Sequence, residues 1–375
     1  MLKKILKIIS VLFLVLLTAF LAIYFFVKGH KEEVVNFLVH TISENHNGTV
    51  NFDDISMSSW GNFPSPAFHI KNMVLKDSSE YKQTRFEVKE AFLSLAVNSL
   101  LKKKIQVKSV HIKNATYTSV TNQENPSNPT LNNKSPATEK KTKEPFAPYQ
   151  MDMTIEDVTI DIRNIPRNKN FNFKLNEISS KLNIGKDKIT STLDMDATIN
   201  QLGFNLEKGS YLKDSHVKGS MNPEIDLRTH KIHIPSFDLS INDQIFKLTA
   251  DFDTANKSGF LFEIINEHTQ YAPTIKLVAD NIRQKLRNYV IDQPFSTHTT
   301  LSGSFAAYSN PLVHIDFATT NNSAKIIDRF DLDSLSFEGN FTNRIYDDSR
   351  AESEDVKDLK LIFNRISGRY RETHF

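Results

Sequence analysis

The sequence predicts a mainly β protein: an N-terminal transmembrane helix followed by a curved, bulged antiparallel β-groove with an apolar concave face and a few short helices. Three observations predict it. Ile8 to Val27 is a run of twenty residues without a charge. From Thr49 onward, apolar and polar residues alternate with a period of two, the period of a strand with one buried face. The chain also holds 27 phenylalanines against only 11 glycines, a composition suited to strands with one large apolar face.

The apolar run makes residues 1–28 a membrane anchor. At about 1.5 Å per residue, a helix of this length covers roughly 30 Å, the hydrocarbon thickness of a bilayer. Ile8, Leu12, Leu16, Phe20 and Val27 mark its extent, and only Ser10 and Thr18 are polar. Lys3, Lys4 and Lys7 precede it, as in a segment whose N-terminus stays in the cytoplasm. A cleaved signal peptide is the alternative. Its apolar region is usually about 7–15 residues and ends in small residues, whereas this run ends in Tyr24-Phe25-Phe26-Val27-Lys28. A retained single-pass anchor is favoured, with the bulk of the chain on the far side. Lys28 and Lys31 also put positive charge on that side, but a long hydrophilic domain crosses regardless of so modest a bias.

Residues 29–120 form the first expected domain. Lys31 to Asn45 reads as a short amphipathic helix, with Val34, Leu38 and Ile42 on one stripe and Asn47-Gly48 as its stop. Strand-like alternation follows. Residues 121–149 then hold five of the thirteen prolines among Asn, Lys, Ser and Thr. That composition buries too little apolar surface to order itself, so it is expected to be a polar linker that can be shortened without loss of the fold. Alternation resumes at Met151, and residues 150–375 read as the continuation of the groove. Asn281 to Ile291 interrupts it with Ile282, Leu286 and Val290 at helical spacing.

Within the strand regions one pattern recurs: apolar-x-apolar, two polar residues, apolar-x-apolar. It reads Phe68-x-Ile70, Lys71-Asn72, Met73-x-Leu75; then Ile105-x-Val107, Lys108-Ser109, Val110-x-Ile112; then Met153-x-Ile155, Glu156-Asp157, Val158-x-Ile160. Two later copies lie at Ile232 to Leu239 and Phe330 to Phe337. A partial copy spans Phe173 to Ile178, with Ser180 where the last apolar residue should be. Side chains alternate faces along a strand, so one extra residue would send every later side chain to the wrong face. A β-bulge or tight corner at the polar pair absorbs that residue, restores the face and bends the strand. The twelve apolar residues of the first three copies are the candidate groove lining. The copies are unevenly spaced, which excludes a fixed-period solenoid. About fourteen to sixteen strands at about 4.8 Å spacing would make a groove of roughly 70 Å.

Composition and motifs exclude several functions. The net charge of +2 gives no global field for nucleic acid. The absence of cysteine removes disulfides, thiolate nucleophiles and thiolate metal sites together. No phosphate-cradling glycine motif occurs. His230 and His233 alternate onto opposite faces of a strand, so they read as surface histidines rather than metal ligands. Asp194-x-Asp196 lacks the glycine and distal glutamate of a calcium loop. Asp251, Asp253 and Asp347-Asp348 read as solvated outer-face carboxylates. Neither a catalytic residue, a metal site nor a cofactor is expected.

After the Lys-flanked anchor and the helix of Val34 to Ile42 comes the strand Thr49-Val50-Asn51-Phe52. Then follow Trp60-Gly61-Asn62-Phe63-Pro64-Ser65-Pro66 and the strand Phe68 to Leu75. Val88 to Leu95 precedes Ser99-Leu100-Leu101-Lys102-Lys103-Lys104. This order of elements in the first 120 residues resembles the AsmA-like family of bacterial envelope proteins: the Trp60–Pro66 segment is similar to the family's "LFPSP" turn, and Ser99–Lys104 resembles its basic "SLL(R/K)G(R/K)" turn with Lys103 replacing the glycine. The Asn- and Lys-rich composition and the polar insert resemble Bacteroidetes-type members. The chain reads as either a truncated member or one whose groove a partner continues. The resemblance implies an inner-membrane anchor and a periplasmic β-groove, similar to chorein-type lipid-transfer proteins, that holds phospholipid acyl chains and acts in phospholipid transport or outer-membrane biogenesis. An apolar sheet face that stays open needs such a ligand. The alternative is an anchored scaffolding factor that binds an envelope protein along a sheet edge; an envelope hydrolase ranks last.

Overall fold

The computed structural model describes residues 49–58, 67–78, 81–96, 106–123, 147–253, 259–304, 312–326, 330–342, 360–370 and 373–374. The expected anchor, the Lys31–Asn45 helix, the Trp60–Pro66 and Ser99–Lys104 turns, Ile105, Asp347-Asp348 and most of the polar linker lie outside these residues. Among the described residues no helix is long and apolar enough to cross a membrane. Strands dominate, in two compact units. Among the described residues they number nineteen, above the expected fourteen to sixteen because several are pieces of two to five residues.

The first unit contains β1 (Thr49–Asn51), β2 (Asp54–Ser58), β3 (Ala67–Ser78), β4 (Lys82–Leu95), β5 (Val107–Thr121) and β6 (Tyr149–Asn164). β1 and β2 pair end to end along β3, and β3, β4 and β5 form antiparallel neighbours. β6 is different: it pairs with β5 in parallel, Ser109 opposite Asp152 and Thr121 opposite Asn164. This corrects the wholly antiparallel expectation. A parallel neighbour needs a connection that returns along the strand, a dozen residues or more. The polar segment between Thr121 and Tyr149 is that connection, so it carries a length requirement that its composition did not reveal.

The second unit runs β7 (Lys169–Ile184), β8 (Lys188–Gly203), β9 (Ser215–Met221), β10 (Glu224–Asp226), β11 (Lys231–Ile241), β12 (Gln244–Asp253) and β13 (Gly259–Thr269). Two short helices, α1 (Tyr271–Thr274) and α2 (Asp280–Leu286), lead to β14 (Tyr289–Ile291). β15 (Phe295–Ser304), β16 (Leu312–Ile326), β17 (Phe330–Thr342), β18 (Lys360–Tyr370) and β19 (Thr373–His374) complete it. β9 and β10 share the place between β8 and β11. From β11 to β18 the main ladder is an antiparallel meander in which β15 follows β13 directly. The helix expected over Asn281–Ile291 ends at Leu286, and Val290 pairs instead with Lys325 of β16. Leu277, just before α2, packs against the buried cluster of Val217, Ile241 and Phe246.

All six copies of the repeated pattern carry a backbone irregularity at their polar pair. Asn72, Asp157 and Ser334 adopt left-handed backbones, with φ of 49°, 52° and 52°. Lys108 is the extra residue between the pairs Ser94–Ser109 and Leu95–Val107. Asn176 is extra between Leu175–Ala197 and Glu177–Asp196. Pro235 and Ser236 together face one residue of β12, where proline costs no ladder bond. The interrupted copy is explained as well: Ser180 is buried and its hydroxyl bonds Ser191 at 2.5 Å.

In the first unit two of these irregularities, at Asn72 and Asp157, belong to one crease. Asn72, Lys89, Asn114 and Asp157 stand opposite one another across β3 to β6, skipped by the pairings on either side. All four are exposed, and Asn114 shares the left-handed backbone at φ 53°. Asn and Asp tolerate that conformation because their short side chains bond locally. Burial in β4 changes parity across the crease: Ala91 and Leu93 are buried on one side and Val88 on the other. One face therefore stays apolar through the bend.

Candidate functional site

The sequence candidates come together as lateral rows across the first unit. Phe68, Leu93, Val110 and Met153 stand opposite one another, as do Ile70, Ala91, Ile112 and Ile155. Beyond the crease the rows are Met73, Val88, Ala115 and Val158, then Leu75, Phe86, Tyr117 and Ile160. Met57 and Ile55 of β2 extend the first two rows and Val50 of β1 the last. Val107 lies apart, beside the bulge opposite Leu95. Phe68, Ile70, Val88, Ala91, Leu93, Ala115 and Val158 are buried, while Met73, Leu75, Val110, Ile112, Met153, Ile155 and Ile160 are half-buried.

β4 and β5 supply row members outside the six copies. Phe86-x-Val88, Lys89-Glu90, Ala91-x-Leu93 and Val110-x-Ile112, Lys113-Asn114, Ala115-x-Tyr117 are further copies with alanine at one apolar place. Alanine is a weak marker of an apolar face. The signal that finds them is the polar pair at a constant offset from its neighbours' pairs.

The second unit carries a comparable face. Leu248, Ile264, Thr299, Ile315, Phe341 and Leu361 form one row across β12 to β18. Phe317, Phe337 and Phe363 make an aromatic group, with ring centroids 5.7–6.2 Å apart in edge-on contact. Leu361, Phe363 and Ile366 on β18 are exposed. Among the described phenylalanines only Phe68, Phe246 and Phe337 are buried. This face is rich in large apolar side chains and only partly covered.

The opposite face is polar and paired. His111 and Lys113 both contact Glu156, at 2.9 and 2.8 Å, and the Lys113 hydrogen bond holds that carboxyl below its ordinary range. His69 stacks on Phe92 with centroids 4.3 Å apart. His233 bonds Asp251 at 2.7 Å and His298 bonds Glu263 at 2.8 Å. His233 is thus engaged across the strands, while His230 sits in the preceding turn with φ 55°.

Among the described carboxylates Asp196 has the densest set of hydrogen-bond partners. Asn176 in the β7 bulge donates to it at 2.8 Å, and His216 and Lys218 lie at 2.8 and 3.0 Å. The Asn176 hydrogen bond, with those of His216 and Lys218, pulls its pKa well below the carboxylate range against the opposing effect of burial. A folded-state pKa below the unfolded value stabilises fully above roughly pH 4 and is lost as pH falls through the folded value. Urea unfolding across a pH series should therefore show stability falling below about pH 4, and Asp196→Asn should flatten that fall. An unchanged slope in the variant would refute the assignment. Tyr271 is shifted the other way: burial pushes it up to about 12 while its hydroxyl donates to the Leu286 carbonyl at 2.9 Å, which ties α1 to α2.

The sequence model of the AsmA family matches residues 1–210, more than half of the chain. The chain belongs to the AsmA family. The match covers all six strands of the first unit together with β7 and β8 of the second. No curated protein matches the sequence. AsmA proteins are an envelope family and not a known enzyme family.

Proposed function

We propose that this AsmA-family protein is anchored in the bacterial inner membrane by Ile8 to Val27 and presents its β-sheet to the periplasm as a groove for phospholipid acyl chains. In that role it is a non-enzymatic factor in phospholipid transport or outer-membrane biogenesis. The observation that carries the reading is the half-covered apolar face, with aligned rows and few buried phenylalanines. Each acyl methylene moved from water onto such a face contributes about 0.8 kcal/mol. The small side chains of Ala91 and Ala115 lower the middle of the first unit's face, between Ile70 and Ile112 on one level and Met73 and Val158 on the next. Neither a metal nor a cofactor is needed for this role.

The test is mass spectrometry of lipid carried by the full chain purified in detergent. Phospholipid should be recovered in stoichiometric amount. Ile112→Ser, at a half-buried position, should lower it while shifting the melting temperature only slightly. A lipid-free protein strongly destabilised by Ile112→Ser would point instead to a closed core. A second reading, an assembly factor that binds an envelope protein along a sheet edge, is favoured by the exposed Leu361, Phe363 and Ile366 of β18. Lipid-free protein with a stoichiometric protein partner would select it.

A further inference from the structure

The apolar face of the second unit has a polar notch. Thr299 of β15 lies in the row between Ile264 and Ile315. Asn266 stands two residues along β13 on the same face, opposite Thr297, so it is the diagonal neighbour of Thr299. Diagonal neighbours in an antiparallel pair lie about 7–8 Å apart, within reach of one ligand group. The alternate positions Glu263 and His298 bond each other on the other face, so neither charge enters the notch.

Asn266 is only 6% exposed, and its Oδ1 accepts the backbone N–H of His268 at 2.9 Å. That bond fixes the amide orientation and leaves Nδ2 as the remaining donor. Thr269 and Thr297 satisfy each other at 2.7 Å. Among the described residues neither Asn266 Nδ2 nor the half-buried Thr299 hydroxyl has a hydrogen-bond partner. Two neutral donors on an apolar face lose their water when an acyl chain covers them, and leaving them unpaired is costly. The Asn266 amide donates and the Thr299 hydroxyl can donate, so acceptors on the occupant satisfy both. A neutral carbonyl suits two such neutral donors.

We propose that Asn266 and Thr299 hold the ester carbonyl oxygens of a bound diacyl lipid, so that the groove reads the acyl-ester linkage as well as the hydrocarbon. The assignment rests on the lipid-groove reading. Its test incubates the full chain in detergent with equimolar diester and diether phosphatidylcholine of the same chain length, and measures the retained lipids by mass spectrometry. One net hydrogen bond corresponds to about a fivefold preference for the diester. Thr299→Val should bring the ratio to about one, while Thr299→Ser keeps it. The infrared carbonyl band of bound diester should shift to lower frequency with the wild type and not with Thr299→Val. Diacylglycerol and its diether analogue should give the same ratio, because the carbonyl and not the headgroup is read; a preference confined to phospholipid overturns the assignment. Equal retention of both lipids by the wild type, or an unchanged ratio in Thr299→Val, overturns the notch and leaves the groove. Retention of neither lipid overturns both.

Discussion

Deleting Asn125 to Lys143 is expected to detach β6 from β5 and to expose the edge of the first unit. The parallel register places Tyr149 beside the start of β5, a strand-length back from Thr121. At about 3.3 Å per residue, that return covers roughly 50 Å. The deletion leaves about eight connecting residues, which reach roughly 30 Å when fully extended. The ends cannot meet while the register holds. Limited proteolysis should then cut within β6, and thermal unfolding should lose the cooperativity of the first unit. Replacing the same stretch by Gly and Ser at equal length should preserve the fold, since reach and not sequence is what the connection supplies. A deletion variant that melts like the wild type would refute the parallel pairing itself.

The second large effect is expected at Gly339. It lies in β17 between Phe317 and Phe363, buried beneath the aromatic group. A Cβ there would stand 2.9 Å from the Phe317 ring and still closer to the Ile362 carbonyl oxygen. Neither can give way cheaply, because one is backbone and the other is wedged among Phe337 and Phe363. Gly339→Val should destabilise by about 3 kcal/mol or more, the upper range of overpacking costs, and should release β18 first. Hydrogen exchange along Leu361 to Ser367 should rise well beyond that in the first unit. Gly339→Ala should fall between the two. Wild-type exchange in the valine variant would mean that the glycine has no packing role.

Much of the β architecture follows from local chemistry. Alternation places apolar side chains on one face, and a polar pair between two alternating runs demands a correction of phase, so the bulges at Lys108, Asn176 and Pro235-Ser236 and the left-handed residues at Asn72, Asp157 and Ser334 are readable without any partner strand. The AsmA resemblance was equally local, a matter of ordered elements in the first 120 residues. Ala91 and Ala115 are buried although their small side chains mark an apolar face only weakly. Val290 has helical spacing, but its pairing with Lys325 outweighs it.

By itself, then, the sequence determined the period, the phase corrections, the two-faced character of the strands and the family, because each depends on residues within a few positions of one another. Only the tertiary structure decided which strands are neighbours. The parallel partner of β5, the alignment of Asn72, Lys89, Asn114 and Asp157 into one crease, the carboxylate nest at Asp196 and the meeting of Asn266 with Thr299 all depend on register between distant segments. Register is a property of pairs: any strand with this alternation could satisfy its hydrogen bonds against many others, and the choice among them rests on loop reach and on cross-strand packing.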